Sequence, residues 1–298
     1  MPRNKSTIRK MLALSAIALA PTSVLADGYD STGVEADPGL AARVPADIRA
    51  AGVLVAGSDN AFAPWEYLAG DDGQTPEGID IDLASAMAAK LGLSYESRTA
   101  QFSSILPALG TNYDIGVSAM SITNERMQTV NFVNYVEAGS EWAVAAGNPR
   151  GFDPADICGD VIAVQTGSWY EGIVKEESEA CVASGKDALN ILPFSVQTEA
   201  MTRVAAGGAD AAIAGGATVF YAAKQSDGAV EAMRPVGTLG GTGLVGIAVP
   251  KDDLELTQLI SDTMNALMDD GTYGAILDHW GVASMAVPAA VINPKVDR

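Results

Sequence analysis

The stretch from Asp114 reads DIGVSAMSITNERMQTV and holds the residue types from which an anion site is built. Its apolar start predicts a strand over 114–117. That leaves Ser118 and Ser121 just beyond the strand, Thr123 capping a predicted helix and Arg126 on the first turn. Hydroxyls and backbone N–H groups at a helix start favour negative charge, and a guanidinium grips a carboxylate through two parallel hydrogen bonds. An ordinary capped helix with a solvated arginine has the same spacing, so both readings stand.

Two further clusters occupy comparable positions. In GSDNAFAPWEY, Asp59, Phe62 and Trp65 fall on the loop after a predicted strand at 53–56, an apt place for an acid and an aromatic wall. Core positions are the competing reading for both aromatics. In VIAVQTGSWY, a strand at 161–164 precedes Thr166, Gly167 and Ser168 at a helix start, then Trp169 and Tyr170. These N–H donors suit a second wall facing the first, and the Trp169 indole can close over a ligand or offer a cation–π face. A plain amphipathic helix face is the alternative for Trp169.

Two enzyme-like signals fail on context. GTGLVG, residues 241–246, fits GxGxxG, but a strand-like run and Pro250 follow where a dinucleotide site needs a helix, so it reads as a hinge segment. The single histidine, His279, stands beside Trp280 in a helical pattern with no paired nucleophile, and reads as structural. No closely spaced cysteine pair or histidine cluster suggests a metal or redox centre. No metal and no cofactor are expected.

The elements that must carry these clusters alternate strand and helix, which is α/β organisation. Leu83, Met87 and Leu91 recur at helical spacing. A second series runs from the strand at 161–164 through a helix after Gly167, a strand at 191–194, a helix through Met201 and Val204, and a strand at 211–214. A strand at 245–249 and an amphipathic helix with Leu256, Leu259, Ile260, Met264 and Leu267 close the pattern. A chain of 298 residues exceeds one ordinary α/β unit, so two lobes are expected, with ligands at the carboxyl ends of strands in a cleft between them.

Arg3, Lys5, Arg9 and Lys10 precede an apolar run over 11–20 and the small-residue ending Val24-Leu25-Ala26, the pattern of a secretory signal peptide cleaved after Ala26. The run is shorter than the about 20 apolar residues a membrane helix needs. Loss of residues 1–26 removes four basic side chains from a total of 18 basic and 37 acidic, leaving a balance of −23. Such acidity argues against nucleic-acid binding and adhesion to anionic lipid. Two cysteines in an exported chain predict one disulfide, Cys158–Cys181. Residues 27–45, rich in Gly, Asp and Ala without periodicity, read as a flexible leader.

Several stretches together resemble the polar amino-acid solute-binding proteins of ABC importers, solute-binding protein family 3. These are GVLVAGSDNAFAPWEY, GIDIDLASAMAAKLG, SSILPALGTNYDIGVSAMSITNERMQTVNF, DVIAVQTGS, GGADAAIA and DDGTYGAILDHWG, and the resemblance covers roughly 46–286. It implies a two-lobed type II periplasmic binding fold, each lobe a sheet flanked by helices, joined by two hinge strands. Lobe 1 would span 46–140 and 242–286 and lobe 2 141–241, with a tail at 287–298, and Gly139 and Gly243 would lie at the crossings.

The resemblance further implies that Arg126 binds a ligand carboxylate helped by Ser121 and Ser168, with Ser118 a polar contact beside it. Phe62 and Phe102 would be apolar walls, Gly167 and Trp169 would belong to the second wall, and Asp59 would meet a cationic side chain. Three departures stand out: Gly215 where the family usually carries an ammonium-binding aspartate, Trp169 where a small or polar residue is usual, and Asn134-Tyr135 in place of an acidic-Pro-Tyr. A ligand with an alkylated or cyclic nitrogen, or one whose ammonium meets Asp59, would suit these changes. The implied function is a periplasmic, monomeric receptor that hands an amino acid or its derivative to a membrane permease. A dehydratase-like enzyme and a signalling receptor are the competing classes.

Overall fold

A computed structural model describes residues 28–297; the predicted signal peptide lies outside the described residues. The chain first forms two short helices, α1 (Pro38–Ala41) and α2 (Ala46–Ala51). α1 starts where Asp37 Oδ1 accepts from the N–H groups of Gly39 and Leu40 and Pro38 presets the first turn. Leu40 and Val44 are buried, and Tyr29 and Val34 pack against the same core. The stretch read as a flexible leader is therefore a packed strap: scattered apolar residues anchor it singly, a pattern that periodicity does not register.

The next elements are β1 (Val53–Ser58), β2 (Ala61–Phe62), β3 (Glu66–Ala69), β4 (Thr75–Glu77), α3 (Ile79–Lys90), β5 (Ser94–Thr99), α4 (Phe102–Ile105) and β6 (Ile115–Gly116). The helix expected from Thr123 is only a 3-10 turn, Arg126–Gln128, because the apolar strand β7 (Val130–Ala145) begins two residues later. Thr123 still caps that turn, its Oγ1 accepting from the Arg126 N–H at 3.1 Å. There follow β8 (Val161–Gln165), α5 (Trp169–Ala183), β9 (Asn190–Phe194), α6 (Gln197–Ala205), β10 (Ala211–Gly215), α7 (Gly216–Gln225), β11 (Val230–Met233), β12 (Thr242–Pro250), α8 (Leu254–Asp269) and α9 (Thr272–His279).

Two sheets result. The first runs β5-β1-β6-β12-β7, with β1 parallel to β5 and β6 and β12 antiparallel to its neighbours. The second runs β7-β10-β8-β9, with β11 also on β7. β7 serves both: its first part pairs with β12 as far as Gly139↔Thr242, and from Ser140 it pairs with β10. GTGLVG thus lies largely within β12, a crossing strand that runs on to Pro250 where a dinucleotide motif would open a helix.

The first lobe buries α3, α8 and α9 against its sheet through Leu83, Met87, Leu259, Ile260, Met264, Leu267, Ile276 and Leu277. Each such side chain contributes roughly 1.5–3 kcal/mol on burial. α3 is entered through Gly78, φ 133°, where a Cβ would lie 2.2 Å from the Trp65 carbonyl oxygen; no other residue fits. The second lobe has a core on each face of its sheet, one around Trp142, Phe152, Ile162 and Ile213, the other around Ala163, Met201, Val204 and Val219. After α9 the tail runs beside β7, bridging Val136↔Ala286 and Val133↔Ile292, and Asn293 exchanges two hydrogen bonds with Phe132. No helix among the described residues is long and apolar enough to cross a membrane.

Cys158 and Cys181 form a disulfide that ties the loop before β8 to α5 across a separation of 23 residues. Replacing both by serine should lower stability by about 3 kcal/mol, the loop-closure entropy for a ring of this size. Urea denaturation read by circular dichroism, with an unchanged native spectrum, checks this.

Candidate functional site

The cleft between the lobes is built from strand ends. Asp59 follows β1 and Phe62 ends β2, the chain after β6 delivers Ser118, Ala119 and Ser121, and Arg126 projects from the 3-10 turn that follows. From the other lobe β8 delivers Gln165, and the start of α5 brings Gly167, Ser168, Trp169 and Tyr170. α5 starts there because Ser168 caps it, its Oγ accepting from the Glu171 N–H at 3.1 Å. The lobes approach so closely that a Cβ on Gly167, φ 77°, would lie 2.8 Å from Ser103 Cβ.

Phe62, Phe102, Ser118, Ala119, Ser121, Arg126, Gln165, Ser168, Trp169 and Tyr170 line a small cavity of ≈ 20 Å³ between the lobes. Eight of the residues named from sequence are among them, and Asp59 is not. Gly167 joins through its carbonyl, which accepts from Arg126 Nη2 at 2.9 Å, while Nη1 donates to Ser121 O at 2.8 Å. The Arg126 guanidinium also stands 5.5 Å from the Phe102 ring centroid. It faces a second, outer groove as well, lined by Glu125, Thr129, Trp169, Gly172 and Glu176. Trp169 therefore stands between inner cavity and outer groove.

Asp59 lies beneath the cavity, 3% exposed, and accepts from Gln165 Nε2 at 2.7 Å across the cleft. Burial pushes its carboxyl up to about 6, against the opposing effect of the Gln165 hydrogen bond. Ser118 is spoken for: its Oγ accepts from the Asp59 N–H at 3.1 Å and donates to Glu66 Oε1 at 2.6 Å. Trp65 resolves as core, 2% exposed and edge-on to Tyr135. Gly215 ends β10 just before α7, and a Cβ there would be 3.7 Å from the Tyr170 hydroxyl. That hydroxyl thus borders the space beside Gly215.

Sequence reasoning missed Gln165, Ala119, Glu66 and Asp80. Gln165 carried a signal, as the last residue of a strand aimed at the cleft. Ala119 carried none, since its role comes from a left-handed backbone, φ 41°. Glu66 and Asp80 look like ordinary surface acids until the fold buries them completely.

The arrangement offers a cation, hydroxyls, four aromatic rings and a deep carboxylate, and is suited to binding a small zwitterion rather than to covalent chemistry. Residues 54–283 match the bacterial extracellular solute-binding proteins, family 3. The chain is 33% identical to the arginine-binding protein ArgT of Corynebacterium glutamicum over 272 residues, 90% of this chain and 87% of that protein. Among solved structures it is similar to an ancestral arginine-binding protein bound to arginine, with 31% identity and a TM-score of 0.68, covering 77% of this chain and 98% of that one. It is also similar to an ancestral amino acid-binding protein described as a precursor of cyclohexadienyl dehydratase, with 29% identity and a TM-score of 0.66, covering 78% and 97%. With a match over most of its length and a binding cleft but no catalytic constellation read from it, the chain belongs to the family 3 extracellular solute-binding proteins, substrate-binding partners of ABC permeases.

Proposed function

We propose that this protein captures a basic amino acid of the arginine class between its lobes and presents it to a membrane permease. The observation that carries the reading is an aromatic-walled cavity lined by Arg126 and by Gln165, whose amide donates to the buried Asp59 behind it, two opposite charges for the two ends of one ligand. Arg126 grips the ligand carboxylate with help from Ser121 and Ser168, Phe62 and Phe102 flank the side chain, and Trp169 covers the outer face. A ligand guanidinium displaces Gln165 from Asp59. The similarity to proteins named for arginine supports this choice.

The lobes are taken as 46–140 with 242–286, and 141–241, bending near Gly139 and Gly243. Cleavage after Ala26 would release the protein to the periplasm as a monomer without nucleic-acid affinity. Its strong negative charge supports the last point.

A thermal-shift screen of refolded protein against L-arginine, L-lysine, L-ornithine, L-glutamine, glycine betaine and spermidine tests the ligand class. L-Arginine at a hundredfold excess over Kd should add about 2.7 kcal/mol, and Arg126→Ala should abolish the shift. A response to glycine betaine alone would move the site to alkylated ammonium ligands, which the aromatic walls and Gly215 would accommodate.

Affinity should also depend on pH with a defined sign. Arginine stays cationic throughout, while Asp59 is ionised only above about 6, so binding should weaken as pH falls through that value. Calorimetric titration between pH 5 and 8 should show this for the wild type and a flat, weaker profile for Asp59→Asn.

A further inference from the structure

Beneath the cavity floor lies a group of acids that ligand contact does not explain. Glu66 and Asp80 are both fully buried. Asp80 accepts from the Tyr135 hydroxyl through Oδ1 and from the Ala119 N–H through Oδ2, each at 2.6 Å. Glu66 accepts from Ser118 through Oε1, yet its Oε2 is buried with no donor. The two carboxyls lie close enough for each to bear on the other's proton. The titratable groups facing them are acidic or phenolic: Asp59 after β1, Tyr95 of β5 and Tyr135 of β7, with Tyr273 of α9 behind Tyr135. No cation is among them.

Two ionised carboxylates side by side in such a place would each lose hydration and repel the other. One proton removes both difficulties. Placed on Glu66 Oε2 it turns the orphaned acceptor into a donor to Asp80 and cancels one of the two charges. The hydrogen bonds then close into a chain: Asp59 N–H to Ser118, Ser118 O–H to Glu66, Glu66 O–H to Asp80, and Ala119 N–H to Asp80. Three residues at the cavity base, Asp59, Ser118 and Ala119, are held by it. Ala119 needs holding, because a non-glycine residue at φ 41° is in a sparsely populated conformation.

We propose that Glu66 is a positioning residue of the binding site, sharing one proton with Asp80 so that it fixes Ser118 and, through Ser118, Asp59. Burial and then the Asp80 charge hold the Glu66 carboxyl well above the ordinary carboxylate range, in keeping with a retained proton. The inference rests on the site assignment above but is tested partly without any ligand.

Glutamine is the faithful replacement, since its oxygen accepts from Ser118 while its amide donates to Asp80; methionine has similar length and makes neither bond. In ligand-free protein, Glu66 keeps its proton when folded and loses it when unfolded, so rising pH favours unfolding. Across pH 5–8 the unfolding equilibrium of the wild type should rise, relative to Glu66→Gln, by about tenfold per pH unit. Parallel urea-unfolding profiles for the two proteins would overturn the shared proton. In the second arm, calorimetric titration with L-arginine at pH 7 should give near wild-type affinity for Glu66→Gln. Glu66→Met, with a native circular dichroism spectrum, should lose about tenfold or more. Wild-type affinity in Glu66→Met, or a comparable loss in a folded Glu66→Gln, would overturn the positioning role. A wild type that ignores L-arginine counts against the ligand assignment alone, and the unfolding profiles still decide the proton.

Discussion

Both walls of the binding cleft hang on one ribbon of two antiparallel strands. β7 spends its first part in one sheet and its last part in the other, and β12 runs beside it across the junction. Sixteen residues at about 3.3 Å each give β7 the reach to belong to both. A paired ladder resists sliding far better than bending, so the lobes can part mainly by hinge rotation. Every contact across the cleft inherits its register from this ribbon. The tail reinforces it, laying Asn293 against Phe132 on the first-lobe side of the crossing.

On that frame the electrostatics separate into two kinds. Exposed pairs such as Arg43–Asp262 and Lys186–Asp156 are solvated and contribute little to stability. The charges at the cleft are different, because low polarity and fixed geometry make each partner count. Arg126 is held between Ser121 and Gly167, one carbonyl from each lobe, which fixes the orientation of its guanidinium. Asp59 is held from the other lobe by Gln165. A neutral amide neighbour stabilises the carboxylate without cancelling its charge, as the proposed cationic ligand would require.

Much of this was legible in the chain. Strand-end positions of Asp59, Ser118 and Gly167, the Ser168 cap and the cysteine pair all follow from local chemistry, and all stand where that chemistry puts them. The errors share a cause. Thr123 and Arg126 looked like a helix start, but the apolar demand of β7 cut the turn short. Tyr29, Val34, Leu40 and Val44 looked like a loose leader, but each finds a separate place on the first lobe.

What the sequence determined by itself was therefore the kit of parts: α/β alternation, an acid at a strand end and a cation on a turn, small capping residues, and two cysteines with only each other to pair with. Such features depend on neighbours within one or two turns of chain. Tertiary structure alone decided which parts meet, joining Gln165 to Asp59 across 106 residues and Arg126 to Gly167 across 41. It also decided that Trp65 is core and that Glu66 and Asp80 are both buried completely. A carboxyl's charge state is set by what surrounds it in space, and residues 14 apart in the chain carry no record of that.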